Sequence, residues 1–193
     1  MIHLPHFERR NFLGGALASF PLALLGQTAA AAKATSATGV NPVRAGEDRL
    51  GEHHTIGVST TAFKVLTADS AGALFLFEHR HAGGKKGGPP RHVHHNEDEW
   101  FYVIEGDYVA EIGSTRLELK PGDSILGPRE VPHAWAFVGD TPGRLLIAFT
   151  PANKMEAFFR DNEKRPHETE YMNDAAVYHA YGMDLLGPPL AVK

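Results

Sequence analysis

Residues 88–106 read Gly-Pro-Pro-Arg-His-Val-His-His-Asn-Glu-Asp-Glu-Trp-Phe-Tyr-Val-Ile-Glu-Gly, and this stretch decides the fold class. His92 and His94 stand two apart, so on a strand both imidazoles point to one face. Glu99 follows His94 by five residues, an odd spacing that puts it on the other face of a straight strand. The polar run His95-Asn96-Glu97-Asp98 has turn chemistry. A bend there restores the inward aim, so that Glu99, Phe101 and Val103 share the inner face and Gly106 closes the strand.

Outward from this stretch the same texture repeats. Short apolar runs occupy 62–67, 73–78, 100–105, 108–112, 116–119, 124–126, 133–138 and 145–149. Asp69-Ser70-Ala71-Gly72, Gly106-Asp107, Gly113-Ser114, Pro121-Gly122-Asp123 and Gly139-Asp140-Thr141-Pro142-Gly143 separate them. Short strands at such regular spacing with Gly/Pro turns predict an all-β sandwich or barrel over residues 56–150. No run between them has the length of a parallel crossover helix. After Thr150 the period changes. Pro151 suits a first helical position, Met155, Phe158 and Phe159 share a helical face, and a second helix is expected over 170–181, closed by Gly182. Residues 151–193 are thus expected as a helical extension, and 35–55, which show no sustained period, as a loose lead-in.

The chemistry concentrates between His92 and His133. Pro121-Gly122-Asp123 is a turn, Pro128 ends the next strand, and His133 opens another in which His133, Trp135 and Phe137 alternate with Ala134, Ala136 and Val138. Three imidazoles and one carboxylate are brought together across the barrel. This mixed nitrogen and oxygen set suits one divalent transition metal: Fe, Mn, Co, Ni, Cu or Zn. Asp98 is the alternative carboxylate, as a ligand in place of Glu99 or as its partner. His79-Arg80-His81 repeats the spacing of the pair without a carboxylate at the right distance, and reads as a strand end. His95 is expected in solvent, and His53-His54 on the surface of the lead-in. Phe101, Trp135, Phe137, Ile147 and Phe149 are the candidates for an apolar surround suited to a planar aromatic or enolisable substrate.

Residues 88–106 resemble the first cupin motif, with its His-x-His, four-residue gap, Glu, six residues and Gly. Residues 122–137 resemble the second: Gly122, five residues, Pro128, then His133. Glu130 stands where the second motif usually has Gly, and Phe137 where it usually has Asn. The resemblance implies a double-sheet jelly roll, with His92, His94, Glu99 and His133 as ligands. Together with the tail 181–190, the chain is similar to the single-domain quercetin 2,3-dioxygenase-like cupins. That likeness implies a flavonol or similar enol bound to the metal through oxygen, Glu99 taking its proton, and dioxygen cleaving the ring. Isomerase, decarboxylase and non-catalytic binding are the alternatives.

Composition narrows the remaining classes. The chain has no Cys, which excludes disulfides, thiolate metal sites and Cys nucleophiles. A formal charge of −4 argues against nucleic-acid binding. At the N-terminus, Arg9-Arg10-Asn11-Phe12-Leu13 precedes an apolar stretch and small residues ending near Ala32 or Ala34. These are the parts of a secretory signal, and the arginine pair resembles the twin-arginine motif, which implies that export machinery as a partner and an exported location. Removing residues 1–34 takes away three cations and one anion and makes the remaining body more acidic than −4. A homodimer is expected, with 62–67 and 73–78 supplying an exposed apolar edge.

Overall fold

The computed structural model describes residues 41–52, 54–56, 59–164 and 173–192. The expected signal segment, and the start of the helix expected over 170–181, lie outside the described residues. Among the described residues no helix is long and apolar enough to cross a membrane.

Among the described residues, eleven strands form two antiparallel sheets. One contains β1 (His54–Ile56), β2 (Ser59–Val65), β3 (Phe75–His81), β10 (Gly143–Thr150), β5 (Asp98–Glu105) and β8 (Ser124–Gly127), in that order. The other contains β11 (Met183–Pro189), β4 (Pro90–His94), β9 (His133–Phe137), β6 (Tyr108–Ile112) and β7 (Thr115–Leu119). Two short helices, α1 (Met155–Glu163) and α2 (Ala175–Ala180), follow β10. The all-β jelly roll expected from the sequence is the fold observed.

Period-2 alternation aims the side chains. In β5, Glu99, Phe101 and Val103 are buried while Trp100, Tyr102 and Ile104 between them are partly open. Phe75 and Phe77 of β3, with Ile147 and Phe149 of β10, turn inward in the same way and meet Trp135 and Phe137 of the facing sheet in one core. Phe77 packs within 6.4 Å of Phe63, Phe75, Phe149 and the α1 residue Phe159. Burial of such rings is worth roughly 1.5–3 kcal/mol each, so the aromatic core is the main source of stability. Gly88 is sterically required, because a Cβ there would lie 1.9 Å from the Trp135 carbonyl oxygen, and Gly127 lies close to the centre, where a Cβ would meet the His133 ring at 3.2 Å.

Three expectations are corrected. The tail is not helical throughout, because residues 183–189 form β11, antiparallel to β4 with Leu185 opposite His92. Gly187, Pro188 and Pro189 hid this strand in the sequence; it pairs with two register shifts that accommodate them. The segments 62–67 and 73–78 are not edges: β2 is covered by β1, and β3 lies between β2 and β10. The lead-in is irregular but fastened, since the buried Asp48 carboxylate accepts the Phe63 and Leu50 amides, and His54 stacks on Phe63 at 4.1 Å rather than facing solvent.

Candidate metal centre

The site is built where β4, β5 and β9 approach one another. His92 and His94 leave β4 on the same side. A bend at His95-Asn96 then reverses the chain into β5, and Glu99 comes in from the opposite sheet. His133 is the register partner of His92 and heads β9. The anticipated bend is therefore real and does the aiming. All four side chains are buried. Their nearest donor atoms lie within 4.8 Å of one another.

Each imidazole has an oxygen acceptor on both sides. His92 Nδ1 donates to the Pro90 carbonyl at 2.7 Å, His94 Nδ1 to Glu97 Oε1 at 2.6 Å, and His133 Nδ1 to the Val131 carbonyl at 3.0 Å. A neutral imidazole carries one N–H, and these contacts place it on Nδ1. With a metal bound, every Nε2 would then be a lone pair. All three face one carboxylate oxygen, Glu99 Oε2, at 3.8, 3.3 and 2.9 Å from His92, His94 and His133, the last a hydrogen bond. Three such nitrogens converging on a carboxylate in a buried space suit a cation between them. His94 Nε2 has no hydrogen-bond partner at all. A transition metal ~2.0–2.2 Å from such donors meets this requirement, so the residues present fit the metal that the sequence implied.

Protonation tells the same story. Burial pulls His94 down, but the neighbouring Glu97 and Glu99 carboxylates outweigh it and raise the imidazole to about 9. Burial pushes Glu99 up, and the three histidines outweigh that and hold it well below the usual carboxylate range. His92 is lowered, chiefly by burial. The pocket wants positive charge, and a proton on His94 competes with a metal for it.

The sequence reading missed Glu97, which it treated as part of a polar turn. It is fully buried, and its second oxygen accepts from Asn153 Nδ2 at 3.0 Å. Asn153 also donates to the Asn96 carbonyl at 2.8 Å, which fixes the bend. A carboxylate on the far nitrogen of a ligand histidine fixes its tautomer and raises its basicity. Glu97→Gln should therefore lower metal affinity roughly 10–100-fold, read by competition against a chelator. Unchanged affinity would deny Glu97 this role.

Asp98 is not at the centre; its carboxylate pairs with Arg129 at 2.9 Å. Glu130, which replaces the usual Gly, adopts φ 62. Its amide donates to the His94 carbonyl at 2.7 Å, and its carboxylate meets His95 Nδ1 at 3.1 Å. These contacts compensate a conformation that Glu adopts poorly. They also tie the turn before His133 to the end of β4. His95, expected in solvent, is only partly exposed and meets Asp184 as well, at 3.0 Å.

Of the expected surround, Phe149 packs on His94 at 5.4 Å and Phe101 on His133 at 6.2 Å. Trp135 packs on Phe101 at 6.3 Å, and Ile147 is the register partner of Phe101. Phe137 stacks instead on His81 at 4.7 Å. His79 and His81 do end a strand, but their rings are buried inside the barrel. His79 Nδ1 and His81 Nε2 are 3.0 Å apart, and His79 Nε2 reaches Ser59 Oγ at 3.0 Å.

Residues 78–149 match the Cupin domain family and contain all four candidate ligands. An uncharacterized protein of Methanocaldococcus jannaschii, MJ1618, is 30% identical over 60 residues, 31% of this chain. The chain spans about half the length of that curated relative, 48%. Among solved structures, KdgF from a Halomonas species aligns with TM-score 0.48 and 19% identity over 59% of this chain and 94% of that one. An RmlC-like cupin from Shewanella frigidimarina aligns with TM-score 0.44 and 23% identity over 54% and 87%. A cupin-superfamily sugar phosphate isomerase from Silicibacter pomeroyi aligns with TM-score 0.40 and 25% identity over 48% and 59%.

Proposed function

We propose that this cupin-domain protein is a metal-dependent oxidoreductase of the dioxygenase type, acting on a small aromatic or enolic substrate such as a flavonol. The observation that carries the metal is the convergence of three Nε2 atoms on Glu99 Oε2, with every Nδ1 committed to an outer acceptor. A divalent metal held there by His92, His94, Glu99 and His133 would supply Lewis acidity and open positions for oxygen ligands.

The remaining work falls to the chain. Phe149 and Phe101 edge the ligand rings and keep bulk water away. In such a dry site a carboxylate is a stronger proton acceptor than in water. The three imidazole neighbours hold Glu99 ionised but weaken it as a base, so it would take the enol proton of a substrate whose acidity the metal raises. The Nδ1 contacts hold the imidazoles in one orientation while that proton moves.

The test is dioxygen uptake by metal-loaded protein across a flavonol panel, with metals supplied singly. Substrate loss matched by oxygen uptake is expected with a redox-active metal. Turnover without oxygen uptake would replace this reading with an isomerase or decarboxylase, and tight binding without turnover would make the protein a binding cupin.

A further inference from the structure

The barrel does not close the metal centre alone; its last wall comes from the tail. β11 pairs with β4 so that Met183 lies opposite His94 and Leu185 opposite His92. This brings α2, which ends two residues before β11 begins, over the ligand rings. The helix is held in place at both ends. Asp174 accepts the Ala176 amide at 2.8 Å at its start, and Lys154 Nζ donates to the Ala180 carbonyl at 2.8 Å at its finish. From α2, Tyr178 packs edge-on against His92 at 5.7 Å and against Phe158 of α1 at 5.6 Å.

Tyr178 is 2% exposed, no hydrogen bond joins its hydroxyl to any described residue, and its oxygen is not among the fully enclosed unpartnered atoms, so it borders open space. Buried tyrosine hydroxyls normally find a partner. The neighbouring Tyr181 does so, donating to Asp161. Two groups of the centre are left without a protein hydrogen-bond partner among the described residues: His94 Nε2, which a metal would take, and the Tyr178 hydroxyl, which borders open space beside the ligand rings.

We propose that Tyr178 determines ligand specificity at this centre: its hydroxyl donates a hydrogen bond to the oxygen ligand on the open side of the metal, and so favours oxygen anions over ligands with no acceptor to offer. This rests on the metal-centre reading above. It gives the tail a role in recognition, and assigns that role to a residue outside both sequence motifs.

The experiment compares wild-type protein with Tyr178→Phe, loaded with Co2+ and titrated spectroscopically with acetate and with imidazole. Acetate keeps a free acceptor when bound; imidazole bound through one nitrogen keeps only an N–H. The variant should bind acetate about tenfold more weakly and imidazole as well as before. The metal-free variant should unfold at the same urea concentration as wild type or a higher one, because the lost hydroxyl had no partner. Equal acetate affinity in both proteins overturns the proposal. A variant less stable than wild type without metal also overturns it, since the hydroxyl would then have a structural partner. If wild type takes up no Co2+, the metal-centre reading falls first, and this proposal with it.

Discussion

Glu99→Gln should cost the protein its metal while leaving the barrel folded. Glu99 Oε2 is the point on which all three imidazoles converge, and it is the only anionic oxygen among the four donors. The loss in affinity should exceed the roughly 10–100-fold expected for an outer partner such as Glu97. Without metal the variant should be less stable than wild type though still folded, because the three imidazoles that outweigh the cost of burying Glu99 lose their anionic partner. Saturating metal separates the two proteins. Ligand at 1,000 times its Kd adds about 4.1 kcal/mol to folding, so the wild-type melting temperature should climb on metal addition and that of the variant should not. His94→Ala is the less clean test, because it leaves the Glu97 carboxylate fully buried with Asn153 as its remaining side-chain partner. Breaking a buried pair in this way costs roughly 3–5 kcal/mol of stability. Retention of full metal occupancy by Glu99→Gln would show that the centre lies elsewhere.

The sequence displayed the fold and the four ligands for one reason: both follow from period-2 alternation interrupted at named positions. His92-Val93-His94 and His133-Ala134-Trp135 show their faces directly, and the bend before Glu99 was required by parity. What the sequence hid was set by tertiary contact. Glu97 sits in a run of polar residues that looks like any solvated turn. Only Asn153, 56 residues away, makes it a buried partner of His94. The strand β11 is disguised by Gly187, Pro188 and Pro189, and its existence depends on the free edge of β4. His79 and His81 lacked a nearby carboxylate, so nothing local distinguished an inward strand end from an outward one. Glu130 was legible in part. Its place in the motif raised the question of positive φ, but the His94 carbonyl and His95 that reward that conformation come from another loop.

The same hidden histidines should make the protein acid-labile well above the pH at which its carboxylates titrate. His79 is pushed down to about 3, first by burial and then by the neighbouring His81, against an opposing pull from Glu99. His81 falls to about 4, chiefly through burial, which the main chain at Lys85 partly offsets. Both are therefore neutral in the folded state at pH 7, whereas in the unfolded chain both titrate near 6.5. As pH falls below 6.5 the unfolded state binds protons that the folded state refuses, and stability falls with it. Each histidine contributes a slope of about 1.4 kcal/mol per pH unit, which continues until its folded value is reached. The pair should thus remove about 3 kcal/mol between pH 6.5 and 5, a large part of the stability of an ordinary domain. Glu78 acts in a separate window. Burial raises it, but Arg80 and Arg144 bring it to about 2, so its contribution is lost only as pH falls below its ordinary value of 4.5 towards 2. Urea unfolding of metal-free protein at half-unit steps from pH 7 to 5 reads the slope, and removing the metal takes its own proton competition out of the comparison. His81→Phe deletes one of the two titrating rings while preserving the stack on Phe137 and the edge contact with Tyr108, so its slope should be shallower than wild type by about 1.4 kcal/mol per pH unit. Parallel slopes for the two proteins would mean that His81 takes up its proton in the folded barrel as readily as in the unfolded chain, and that water or an anion reaches this end of the core.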